Sequence, residues 1–77
     1  MQKEFYKMEL VRVNSTNVNS IGYEPQNKNL EVKFHNNKHY KYFNVPAELH
    51  KNLMLSISKG KFLHRYVYGK FVEIKLN

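Results

Sequence analysis

The stretch LEVKFHNNKHYKYFNVP, residues 30–46, constrains this chain more than any other. Leu30, Val32 and Phe34 alternate with Glu31 and Lys33, the period of a strand that buries one face and wets the other. Asn36 and Asn37 follow, and asparagine tolerates the positive φ that tight hairpin turns require. The segment HYKYFNV, 39–45, then reads as the returning strand. A hairpin with one apolar face is not stable alone and demands a layer packed on it.

The register of that hairpin decides what its two central tyrosines do. A two-residue turn at Asn36-Asn37 pairs Lys33 with Tyr40 and puts Tyr40 and Tyr42 on the charged face, free to stack on bases. A three-residue loop at 36–38 pairs Phe34 with Tyr40 and Val32 with Tyr42, and both tyrosines join the core. The second arrangement is expected, because the first turns His39 and Lys41 toward the apolar face, where an unpaired ammonium is costly.

The remaining elements follow from periodicity. KMELVRV at 7–13 alternates as a strand, and after the polar loop NSTNVNS at 14–20 a second strand, IGYE at 21–24, runs until Pro25 stops it. Pro46 suits the first position of a helix, and Leu49, Leu53, Ser56 and Ile57 recur as its buried stripe, giving a helix over 46–57. Gly60 interrupts this pattern, after which Phe62, Leu63, Tyr66 and Val67 form the stripe of a second helix that ends at Gly69. FVEIKL at 71–76 alternates as a last strand. The predicted fold is a single α+β domain over 1–77: a mainly antiparallel sheet of about five strands, in the order β-β-β-β-α-α-β, with two helices on one face.

Charge narrows the partner. Of 77 residues, 13 are Lys or Arg and 6 are Asp or Glu, a net charge of +7. Residues 1–32 balance four bases against four acids, so the excess comes from the nine bases and two acids after residue 32. Such asymmetry is the footprint expected for a phosphate-rich partner, although a lysine-rich surface also serves solubility alone. There is no cysteine, hence no disulfide or thiolate metal site. No apolar run has the length of a signal-peptide core or a membrane span, so a cytoplasmic location, in a bacterium or a phage-infected host, is expected. So small a domain has little core to bury, which favours a homo-oligomer.

Two segments carry candidate chemistry. Ser58, Lys59 and Gly60 fall at the start of the second helix, where free N–H groups and the helix dipole favour an anion. The Ser58 hydroxyl, the Gly60 and Lys61 amides and the Lys59 or Lys61 ammonium form a phosphate-site hypothesis; a serine cap beside a tight turn is the simpler reading. Lys59, Lys61, His64, Arg65, Tyr68 and Lys70 are the side chains that helical spacing leaves toward solvent. The loop 14–20, with Ser15 and Asn17, supplies hydroxyls and amides suited to a small-ligand pocket, or else to local turns. Lys33 and Lys41, with His35, His39 and Phe43, make the exposed face of the hairpin basic. Catalysis and cofactors are not expected: there is no P-loop or nucleophile elbow, and His35 facing His39 with no carboxylate nearby in sequence makes a weak metal site.

Taken in order, NSTNVNSIGYE, LEVKFHNNKHYKYFNVP and SKGKFLHRYVYGKF resemble the KTSC domain, a small family found at the C-terminus of some lysyl-tRNA synthetase-like proteins. The recurring pattern falls on Ser15, Gly22, Tyr23, Phe34, Tyr40, Tyr42, Val45, Pro46, Ser58, Gly60 and Phe62. Thr16 stands where a second serine is usual, and Asn37 where a glycine usually makes the turn. The resemblance implies the same fold, and attachment to a synthetase implies RNA contact. Members also stand alone in bacteria and bacteriophages, which directs attention to small ligands. The expected function is non-enzymatic recognition of a phosphorylated nucleotide by a homo-oligomer, in a phage the sequestration of a host immune signal. RNA binding by the basic half and protein interaction through the last strand are the alternatives.

Overall fold

The structure, a computed structural model, describes residues 8–77. Five antiparallel strands form one meander: β1 (Val11–Arg12), β2 (Val18–Glu24), β3 (Asn29–Phe34), β4 (His39–Tyr42) and β5 (Glu73–Lys75). Helices α1 (Ala47–Leu55) and α2 (Lys59–Tyr66) lie between β4 and β5 in the chain. The fold is α+β in the predicted order. Of the predicted first strand, Lys7 lies outside the described residues.

The hairpin register differs from both arrangements considered. Leu30 pairs with Tyr42, Val32 with Tyr40 and Lys33 with His39. The loop is His35, Asn36 and Asn37, closed by the Phe34 N–H donating to the Lys38 carbonyl. Asn37 takes φ 72°, and its N–H reaches the Phe34 carbonyl, the type I turn plus left-handed residue typical of three-residue hairpins. Asn36 Oδ1 accepts from the Lys38 N–H and stiffens the turn. The loop therefore has the expected length but sits one residue earlier. Because the slip moves the pairing by two, Tyr40 and Tyr42 stay on the side of Val32 and Leu30, as burial of that face requires. Tyr42 is buried and Tyr40 half-buried.

Strand β2 starts at Val18, three residues before the sequence pattern begins. The pairing with β3 shifts between Val18 and Ser20, so Asn19 is a bulge. The bulge brings Val18 and Ile21 to the same buried face although they are three apart, and it hides the alternation from a period-two reading. On the opposite face Gly22 has no room for a side chain, since a Cβ there would come within 2.8–2.9 Å of Met8 and Leu10 side-chain atoms.

The helices cover one face of the sheet. Leu53 from α1, and Leu63 and Val67 from α2, join Val18, Ile21, Leu30, Val32, Tyr42 and Val45 in one fully buried cluster. Helix α1 is shorter than predicted: Pro46 is its N-cap, Ser56 ends it by donating its hydroxyl to the Leu53 carbonyl, and Ile57 is fully exposed instead of buried. Gly60 does not separate the helices, because α2 starts at Lys59 with Ser58 as its cap. Helical spacing also misplaces two aromatics. Tyr66 is 43% exposed, whereas Tyr68 is half-buried against the core, because the helix ends and the chain turns back at Gly69, φ 76°. Burial, with the nearby Glu73 charge, raises the ionisation of Tyr42 and Tyr68 above the ordinary tyrosine range.

Tyr23 fixes the entry to α1. Its hydroxyl donates to the Val45 carbonyl, and its ring stacks on His50 at 4.5 Å between centroids. Burial there holds the His50 pKa below the usual histidine value. As pH falls below about 6.5 the unfolded chain takes up a proton that folded His50 resists, so stability is lost on acidification. Urea unfolding between about pH 7.5 and 5.5 is expected to show a smaller acid-induced loss for His50→Phe than for the natural chain. Equal losses would show that this stacked histidine is not the titrating group.

Candidate functional site

The two segments singled out by their chemistry, separated by some forty residues, meet in space. Loop 14–17 forms one wall of an open cleft of about 680 Å³, and Ile57–Lys61 with His64 forms the other. Each wall is held by its own hydrogen bonds. Ser15 Oγ accepts from the Asn17 and Val18 N–H groups, an ST-type turn that sets the loop before the strand begins. His35 at the hairpin tip anchors the same loop, its N–H donating to the Asn17 carbonyl and its Nε2 lying 3.0 Å from the Ser15 carbonyl.

The opposite wall is the start of α2. Ser58 Oγ accepts from the Lys61 N–H at 3.3 Å, so the serine is a helix cap and the Lys61 amide is engaged. Lys59 Nζ donates to the Ser56 carbonyl at 2.6 Å and seals the end of α1. The first-turn amides of Lys59 and Gly60 keep no intrahelical acceptor by the geometry of any helix start. Gly60 has room for a methyl group, whose nearest neighbour would be Asn17 Nδ2 at 3.7 Å. Lys61 and His64 are exposed at the cleft, and among the described residues no acidic side chain lines it.

The predicted site residues divide. Ser15, Asn17, Ser58, Lys59, Gly60, Lys61 and His64 converge on this cleft. Tyr68 lines an adjoining depression of about 400 Å³, shared with Asn17, Gly60 and His64. A third, of about 380 Å³, continues past Phe34, Tyr40 and Tyr68 to Glu73. Arg65 lines none of the three and lies 5.6 Å from the Tyr66 ring centroid. Lys33 and Lys41 also stay away, on the sheet face opposite the helices. There Lys41 pairs across from Glu31, and His39 meets the Glu31 carboxylate at 2.9 Å. His35 and His39 do not face each other, because His39 pairs with Lys33. Among the described residues no group of three or more potential ligands is placed to hold a metal.

Sequence reasoning missed the aromatic continuation of the groove. Phe34 and Tyr40 read as core from alternation, yet both are half-buried and line its middle. Only the position of the hairpin tip beside α2 reveals that edge.

Comparison with known proteins now fixes the family. The KTSC domain profile matches residues 14–71. The chain belongs to the KTSC domain family. It is similar to a crystal structure of a KTSC domain protein from Yersinia pestis, with a TM-score of 0.89 and 38% identity, over 92% of this chain and 100% of that one. It is 29% identical over 62 residues to a lysine–tRNA ligase of Nostoc sp., covering 80% of this chain and only 11% of that protein. A protein of Tsukamurella paurometabola is 30% identical over 64 residues, 83% of this chain and 96% of its own. The KTSC domain thus occurs both at about this size and as a small part of a synthetase. No helix among the described residues is long and apolar enough to cross a membrane.

Helix energetics separate capping from space at the cleft. Ser58→Ala is expected to cost about 0.5–2 kcal/mol in urea unfolding through loss of the cap. Gly60→Ala is expected to gain about 0.5 kcal/mol, since alanine is the better helix former and the position has room. A loss at position 60 would mean that the methyl group displaces Asn17.

Proposed function

We propose that this KTSC domain is a non-catalytic binding module whose cleft takes the phosphate of a small phosphorylated nucleotide. The observation that carries the reading is the convergence of loop 14–17 and the start of α2 on one cleft with Lys59, Lys61 and His64 and, among the described residues, no acid in its lining. Free amides at a helix start and a nearby ammonium are the usual elements of phosphate recognition. The adjoining depression offers Phe34 and Tyr68 for a base, and the far end carries both Lys38 and Glu73, so the positive charge is concentrated at the cleft. A positive cleft beside an aromatic depression favours a short ligand with its charge at one end over a long polyanion. In a phage-infected cell such a module would act by sequestration.

RNA binding is the second reading. It draws on Lys33, Lys41 and Phe43, which share the open sheet face, and on the lysine–tRNA ligases among the relatives. Salt distinguishes it, since contacts to several phosphates make affinity fall steeply with ionic strength.

Native mass spectrometry of the 77-residue chain purified from a nucleotide-producing host, followed by titration calorimetry with the released compound, tests the proposal. A phosphorylated ligand is expected, with affinity reduced about tenfold or more by Lys61→Glu and little changed by Lys41→Glu. No bound ligand, together with steeply salt-dependent oligonucleotide binding lost in Lys41→Glu, would transfer the function to the open face.

A further inference from the structure

Strand β5 ends the sheet, and among the described residues nothing pairs with its outer edge. The Phe43 N–H donates to the Val72 carbonyl and the Leu76 N–H to the His39 carbonyl. The even-numbered residues 72, 74 and 76 therefore turn their backbone groups toward β4, and Glu73 and Lys75 turn theirs outward. Side chains alternate as well. Glu73 and Lys75 stand on the helix side, opposite Tyr42 and Tyr40, while Val72, Ile74 and Leu76 stand on the open face. Those three apolar side chains are 72%, 45% and 42% exposed, an unusual row for a free edge.

We propose that this edge pairs with the same edge of a second copy, antiparallel and two-fold about Ile74, to make one continuous ten-stranded sheet from two five-stranded ones. Charge selects both the occupant and the register. Outward backbone groups must meet outward groups, so the two-fold axis passes through Glu73, Ile74 or Lys75 in any overlap that uses the whole strand. Centring on Glu73 sets Glu73 against its own copy, and centring on Lys75 sets two lysines together. Centring on Ile74 sets each Glu73 opposite the Lys75 of the other chain, twice over. The same register brings the two Ile74 side chains together and places each Val72 opposite a Leu76, covering the exposed row. A lone lysine on this edge would repel a copy, whereas a glutamate two residues before it converts the repulsion into paired charges. The axis is perpendicular to the sheet, so both helix layers lie on one side. None of these residues lines the cleft at the start of α2, although Glu73 also lines the far depression, so the dimer is read from mass alone and not from ligand binding.

The test is the mass of the full chain by light scattering and sedimentation across concentration, using charge reversals. The natural chain is expected to pass from 9.3 kDa to twice that mass. Glu73→Lys alone and Lys75→Glu alone are each expected to weaken self-association about tenfold or more, since like charges then face each other. The double variant E73K/K75E restores the homodimer, and an equimolar mixture of the two single variants forms a heterodimer. Circular dichroism confirms that each exposed substitution leaves the chain folded. A monomer at every concentration up to about 1 mM overturns the proposal. So does a dimer unaffected by either reversal, or one that neither the double variant nor the mixture restores.

Discussion

The register of the β3–β4 hairpin is the constraint on which the rest depends. Because side chains alternate along a strand, one residue of slip would carry Tyr40 and Tyr42 to the face of Glu31 and Lys33. The helices would then lose Tyr42 and Tyr40 from the apolar surface against which Leu53, Leu63 and Val67 are buried. The turn that sets this register needs a left-handed residue, and Asn37 supplies it at φ 72°. The same turn projects His35 onto the Ser15–Asn17 loop, so one short connection fixes both the core and one wall of the cleft.

The family pattern falls largely on residues that hold this scaffold. Ser15 makes the turn before β2, Gly22 leaves room for Met8 and Leu10, and Tyr23 ties the sheet to Val45 at the entry of α1. Val45 is buried and Ser58 caps α2. Gly60 is the exception. Its backbone conformation is ordinary and it has room for a side chain, so neither turn geometry nor packing explains a glycine there.

The number and order of the elements were legible in the sequence, though not the hairpin register, because each element depends on local patterns that packing reinforces: alternation in β3 and β4, apolar recurrence in both helices, glycine at the end of α2. The departures share a cause. A bulge at Asn19, a serine that ends α1 and a chain reversal after Tyr66 each change the phase of a periodic pattern, and periodicity cannot be read through a phase change. That is why the start of β2, the exposure of Ile57 and the exchange of Tyr66 with Tyr68 all escaped it. The site was legible in type more than in membership. Hydroxyls and lysines at 15–17 and 58–61 marked two polar segments, but only the fold brings those segments together and removes Lys33, Lys41 and Arg65 from them.

Net charge by itself locates nothing, and the structure explains why. Lys33 and Lys41 share their face with Glu31, which stands opposite Lys41 and bonds His39, so positive charge there is met by an acid at short range. On the edge strand Lys75 stands two residues from Glu73. At the cleft Lys61 and His64 have no acid among the lining residues, while Lys59 is spent on the end of α1. At physiological ionic strength exposed charges act over roughly 8 Å, so local imbalance matters more than the total. The second half of the chain carries the basic excess, and the cleft is where that imbalance meets first-turn helix amides that have no intrahelical acceptor.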